Sequence, residues 1–181
     1  MREHKIVVLG SAGAGKSTLV RAIADGVVVD TDVANTDGGL GKAATTVAMD
    51  YADVALPNGD RLRLYGTPGQ QRFGFIWPML LQGASGAVLL ADASLPDPVE
   101  ALAGHLYTLR THAPNLPAVV GLSKPDLAPH LDLDHCADAI AARLRALPVV
   151  PMDARDREQV LWLMDALMGE IEAHAWVDAD G

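Results

Sequence analysis

The chain has 181 residues, half of them apolar, and carries 23 acidic against 14 basic side chains for a net charge of −9. That length suits one domain with a two-sided core, the apolar content excludes a disordered chain, and the charge argues against binding to nucleic acid or an anionic membrane. A single cysteine, Cys136, rules out an internal disulfide and a multi-cysteine zinc site, which fits a cytoplasmic setting.

Lys5-Ile6-Val7-Val8-Leu9 predicts a buried strand that runs into Gly10-Ser11-Ala12-Gly13-Ala14-Gly15-Lys16-Ser17-Thr18, a match to G-x-x-x-x-G-K-[ST]. This is the pattern of a phosphate-binding loop. Backbone N–H groups from Gly13, Ala14, Gly15, Lys16, Ser17 and Thr18 would curl round a phosphate chain, Lys16 would reach the terminal phosphates, and the Ser17 hydroxyl would ligate Mg²⁺. Leu19, Val20 and Ile23 keep a helical spacing to about Asp25-Gly26. Residues 27–44 are rich in Gly, Asp and Thr with weak periodicity, and predict a flexible segment beside the nucleotide.

Residues 47–56 and 61–65 alternate around the turn Pro57-Asn58-Gly59-Asp60, which predicts an antiparallel hairpin. A second loop, residues 66–73, leads into a helix over roughly 73–82 with Pro78 near a kink or boundary. Strands over 87–91, 118–122 and 148–152 then alternate with helices over 98–111, 132–144 and 156–174. In the last helix Val160, Leu163, Met164, Leu167, Met168 and Ile171 form a buried stripe. Strands separated by helices imply right-handed crossovers and a mostly parallel sheet covered on both faces.

Ligands of such sheets sit at the carboxyl ends of the strands. Two loops there read Ser123-Lys124-Pro125-Asp126 and Asp153-Ala154-Arg155. They resemble the Asn-Lys-x-Asp and Ser-Ala-Lys motifs of Ras-like small GTPases, and the likeness runs from Lys5 to about Ala173. A carboxylate such as Asp126 can accept both donors of a guanine edge, whereas adenine offers an acceptor at the ring position. The resemblance implies that the Lys124 stem lies over the base, that the loop of Asp153 and Ala154 closes the base site with the Ala154 N–H on the guanine oxygen, and that Ser123 ties the base loop to the phosphate loop more weakly than asparagine would. Thr45-Thr46 resembles the threonine switch, with Thr46 on Mg²⁺ and Thr45 the alternative; both also suit a strand as β-branched residues.

Gly66-Thr67-Pro68-Gly69-Gln70 keeps the Gly-Gln of Asp-x-x-Gly-Gln but has glycine where the Mg²⁺-supporting aspartate belongs. This departure, with Met49-Asp50-Tyr51 and Asp153-Ala154-Arg155-Asp156, resembles a bacterial branch, the MglA-like and conservon-type GTPases. The resemblance implies an α/β P-loop NTPase fold: one Ras-like G domain with a core over 5–173 and a tail over 174–181, six strands of which one is antiparallel, and five main helices on both faces. It implies a cytoplasmic monomer that binds GTP or GDP with Mg²⁺ and hydrolyses GTP slowly with a protein partner's help. Gln70 would orient the attacking water, Gly69 would sense the γ-phosphate, and Ala12 would lie against Gln70. Roadblock-type regulators and sensor kinases are the partners it implies; neither a nucleic-acid partner nor an intrinsic membrane anchor is expected. Arg63 and Arg72 are candidates for a catalytic arginine, though surface roles suit both. Two rivals stay open. One is a P-loop ATPase or small-molecule kinase with Asp92 on the metal, and the other is an interaction module without hydrolysis.

Overall fold

The computed structural model describes residues 1–34 and 46–179, with the backbone alone for residues 30–34, 46–48 and 178–179. Strand β1 (Glu3–Gly10) fills the middle of the sheet, and Ile6, Val7, Val8 and Leu9 are fully buried because both of its edges and both of its faces are covered. Along the edges it pairs in parallel with β4 (Arg61–Gly66) and β5 (Gly86–Asp92). The period of two then divides its side chains between two cores. Ile6 and Val8 face α1 (Lys16–Ile23) and α5 (Arg157–Ala179), while Val7 and Leu9 face α2 (Trp77–Leu81), α3 (Ala103–His112) and α4 (Leu133–Arg143). Truncating a large, fully buried side chain such as Leu9 or Leu89 to alanine would cost about 2–5 kcal/mol.

The remaining strands are β2 (Val29–Ala34), β3 (Thr46–Ala55), β6 (Ala118–Ser123) and β7 (Val149–Pro151), and the sheet order is β2-β3-β4-β1-β5-β6-β7. The six expected strands are all present. Only β3 runs against the others, pairing antiparallel with β2 on one side and β4 on the other. The seventh strand, β2, falls in the segment expected to be loop: Val-Asp-Thr-Asp-Val-Ala has too few apolar residues to declare itself, and it is formed by lateral pairing with β3. Residues 35–44 of that segment, with Thr45, lie outside the described residues.

Helix boundaries also differ from expectation, and α3 starts at Ala103 behind a 3-10 turn over Glu100–Leu102. A 3-10 turn over Gln71–Ile76 precedes α2, which starts at Trp77 because Pro78 fits the first helical turn and not the interior. Helix α5 continues through the expected tail to Ala179. Among the described residues no helix is long and apolar enough to cross a membrane.

Candidate functional site

The phosphate loop leaves β1 at Gly10, where an added Cβ would fall 2.3 Å from the Leu90 carbonyl oxygen of β5. Only glycine allows that approach. Gly13 and Gly15 have φ of 80° and 100°, the left-handed conformation in which successive N–H groups can line an anion nest, and α1 opens immediately after with its positive dipole end toward the loop. Lys16 is 7% exposed and folds back over the loop, donating from Nζ to Gly10 O at 2.7 Å and Ser11 O at 2.9 Å. Burial pulls its pKa down to about 8, against the opposing charge of Asp50. Ser17 Oγ donates to Asp50 Oδ2 on β3. The loop thus floors a cleft of about 610 Å³ whose walls include Asp50, the stretch from Gly66 to Gly69, and Lys124.

A second hollow of about 300 Å³ adjoins it, sharing Gly15, Thr18 and Lys124, and is lined by Ser123, Asp126, Asp153, Ala154 and Arg155. The two base-side loops expected from sequence therefore meet beside the phosphate loop. Ser123, fully buried at the end of β6, sends its hydroxyl to Ala14 O at 2.7 Å, with Ala91 O at 3.1 Å. The tie between the base loop and the phosphate loop is thus made, because the strand end sits close enough for the shorter side chain to reach Ala14 O. Lys124 adopts φ 56°, which is uncommon for a residue with a side chain, and its Nζ reaches Gly13 O at 2.9 Å and Asp92 Oδ2 at 2.5 Å. Gly15 and Ala154 interlock, since a Cβ at Gly15 would stand 3.3 Å from the Ala154 Cβ.

Asp126 is exposed on the rim of this hollow. Its neighbour Asp153 is held in a two-point pair with Arg155, Nη2 to Oδ2 at 2.7 Å and Nε to Oδ1 at 2.9 Å, which lowers its pKa to about 2. That leaves Asp126 as the carboxylate of the hollow without such a committed partner. Asp92 accepts from Ser94 and Lys124 and does not line the phosphate cleft, so its position favours the turn role over metal support.

The loop after β4 closes the far wall. Thr67 is buried and anchors its root, with both N–H and hydroxyl directed at Val8 O at 3.0 and 2.9 Å. Trp77 donates from Nε1 to Pro68 O at 3.3 Å and stacks on His105, ring centroids 3.9 Å apart. Gly69 packs directly on the phosphate loop: a Cβ there would fall 2.5 Å from Ala12 N and 2.7 Å from Lys16 Nζ. Ala12 therefore packs on Gly69, the neighbour of Gln70. Gln70 is exposed and does not line the cleft, and the Thr46 side chain lies outside the described residues. Among the described residues no cluster of three His, Cys, Asp or Glu side chains could hold a metal alone. Sequence reasoning did not single out Asp50 as a site residue. The available signal was its place in the strand that pairs with β4, opposite the glycine that replaces the expected aspartate.

A family model described as conserved hypothetical ATP binding protein matches residues 27–169, most of the chain, beginning downstream of the phosphate loop. An uncharacterized protein of Methanocaldococcus jannaschii is 33% identical over 92 residues, 51% of this chain and 53% of that protein. The human Ras-related protein Rab-22A is 27% identical over 128 residues, 70% of this chain and 62% of its own length, and the rat Ras-related protein Rab-31 is 28% identical over 152 residues, 78% and 72%. The chain thus spans only about half to three fifths of the first two relatives. With its phosphate loop at the end of β1 and its doubly covered sheet, the chain has the fold of a Ras-like P-loop G domain, in keeping with its likeness to the Rab proteins, and it belongs to the conserved hypothetical ATP binding protein family.

Proposed function

We propose that the protein is a guanine-nucleotide switch that hydrolyses GTP slowly and passes its nucleotide state to protein partners in bacterial signalling. The observation that carries this reading is the continuity of the cleft: the nest at Gly13 and Gly15 opens into a hollow whose uncommitted carboxylate is Asp126. In that arrangement the phosphates lie along the loop and the base lies beside the Lys124 stem. The Asp126 carboxylate accepts the ring N–H and exocyclic amine of guanine. Lys16 exchanges two loop carbonyls for phosphate oxygens, and so moves from neutral acceptors to charged ones.

Ser17, whose hydroxyl lines the cleft, would hold Mg²⁺ together with the nucleotide phosphates, and Thr46 is the second hydroxyl proposed for it. When bound, the ion neutralises charge on the phosphates. Gln70 must move inward to orient water, because in this state it is exposed and Gly69 occupies the wall beside Ala12. A partner that carries it there would make turnover conditional on that partner. The resemblance to the conservon-type branch suggests Roadblock-type regulators and sensor kinases for this role, in the cytoplasm.

The family's description favours a second reading, an adenine-nucleotide site. Calorimetry separates the two. GDP and GTP should bind at least 100-fold more tightly than ADP and ATP, since a site built to pair with donors leaves its carboxylate unmatched against adenine. Equal affinity for both bases removes the guanine reading. Asp126→Asn should shift preference toward xanthine nucleotides; retained guanine preference takes Asp126 out of the base site.

A further inference from the structure

We propose that Asp50, on β3, supplies the carboxylate that supports Mg²⁺ at Ser17, across the gap left by Gly66 on β4. The assignment rests on the nucleotide-switch reading above, and on two independent observations. The first is register. Asp50 and Gly66 are direct partners in the antiparallel pairing of β3 with β4, and a Cβ built on Gly66 would stand 3.2 Å from the Asp50 Cβ and 3.4 Å from Asp50 Oδ2. A side chain at position 66 would crowd the Asp50 carboxylate, and glycine leaves it room. The aspartate missing from one strand is thus matched by one on its neighbour.

The second observation is where the carboxylate points. The Asp50 side chain is 13% exposed, and among the described residues its hydrogen bond comes from the neutral Ser17 hydroxyl, with the Arg21 guanidinium at 3.9 Å. Lys16 acts on it through charge but donates its hydrogen bonds to Gly10 O and Ser11 O. The carboxylate therefore keeps acceptor capacity beside the hydroxyl at the start of α1 that would share the ion. Mg²⁺ is commonly held by one or two carboxylates together with substrate phosphates, so a single well-placed aspartate is sufficient.

The test is the free Mg²⁺ concentration that half-maximally slows GDP release, titrated with Mg²⁺ buffers on the full chain. Asp50→Asn, which keeps the shape and removes the charge, should raise that midpoint at least tenfold while leaving the release rate in chelator within about twofold of wild type. The double variant Asp50→Gly with Gly66→Asp, which moves the carboxylate across the strand pair, should bring the midpoint back to within about threefold of wild type. Thermal unfolding of each variant identifies any that fails to fold. An unshifted midpoint in folded Asp50→Asn overturns the proposal, as does a shift that the folded double variant leaves uncorrected. If GDP does not bind and ADP does, the same titration is run with ADP, so failure of the guanine reading stays distinct from failure of the Asp50 assignment.

Discussion

On the base side of the cleft, three candidate residues are already tied to neighbours: Ser123 to Ala14 O at 2.7 Å, Lys124 to Gly13 O at 2.9 Å, Asp153 to Arg155 at 2.7 Å. On the far side the loop from Thr67 to Gln70 is pinned at its root to Val8 O and braced by Trp77 at Pro68, while Gln70 itself is exposed. The base side can receive a ligand without reordering, which avoids the entropic cost of fixing side chains on binding. The far side must rearrange before Gln70 reaches the cleft. On the proposed reading, recognition and turnover are therefore built to different degrees of readiness in one molecule.

The contrast breaks most sharply at Gln70. Gln70→Ala should lower partner-stimulated hydrolysis roughly 100-fold while moving nucleotide affinity by less than about twofold. Single-turnover hydrolysis beside equilibrium binding checks both, and a matching loss of affinity would show that the far side shares in recognition. Ser123→Ala probes the other half. It removes the buried bond to Ala14 O and leaves that carbonyl unpaired, so GDP affinity should fall about tenfold; an unchanged dissociation constant would mean that the base loop is held without that tie.

The smallest effect sharpens the boundary between the halves, at Lys16. Burial holds its pKa near 8 in the free protein, and phosphate oxygens would raise it on binding. Binding therefore takes up a proton above that pKa, and affinity is level at lower pH and declines as pH rises. By pH 8.5 the loss should reach about fourfold. Calorimetry in two buffers of different ionisation enthalpy reads the proton directly, and no proton uptake would mean that Lys16 stays on Gly10 O and Ser11 O when nucleotide binds.

How much of this was legible in the sequence depends on whether the determinant is local. The phosphate loop announces itself because its glycines are needed where they stand, at Gly10 against Leu90 and at Gly13 and Gly15 in left-handed backbone. The two base-side motifs could be placed because each follows a strand that reads as a plain apolar run. What was missed depends on lateral neighbours. Strand β2 exists through its pairing with β3, and Asp50 reaches Ser17 only because register sets it opposite Gly66. That Ser123 bonds Ala14 O likewise depends on how near the strand end lies to the phosphate loop, which the motif alone does not give.

The Trp77 brace has a practical consequence. Trp77 is buried, 4% exposed, whereas the other two tryptophans, Trp162 and Trp176, are 55% and 75% exposed. Its indole bonds the loop at Pro68 on one side and stacks on His105 on the other; burial lowers the histidine's pKa to about 4, so the ring stays uncharged at neutral pH. With the two exposed tryptophans replaced by phenylalanine, the molecule carries one native fluorophore wired to the segment that must move, and its emission can follow that movement in real time without a label.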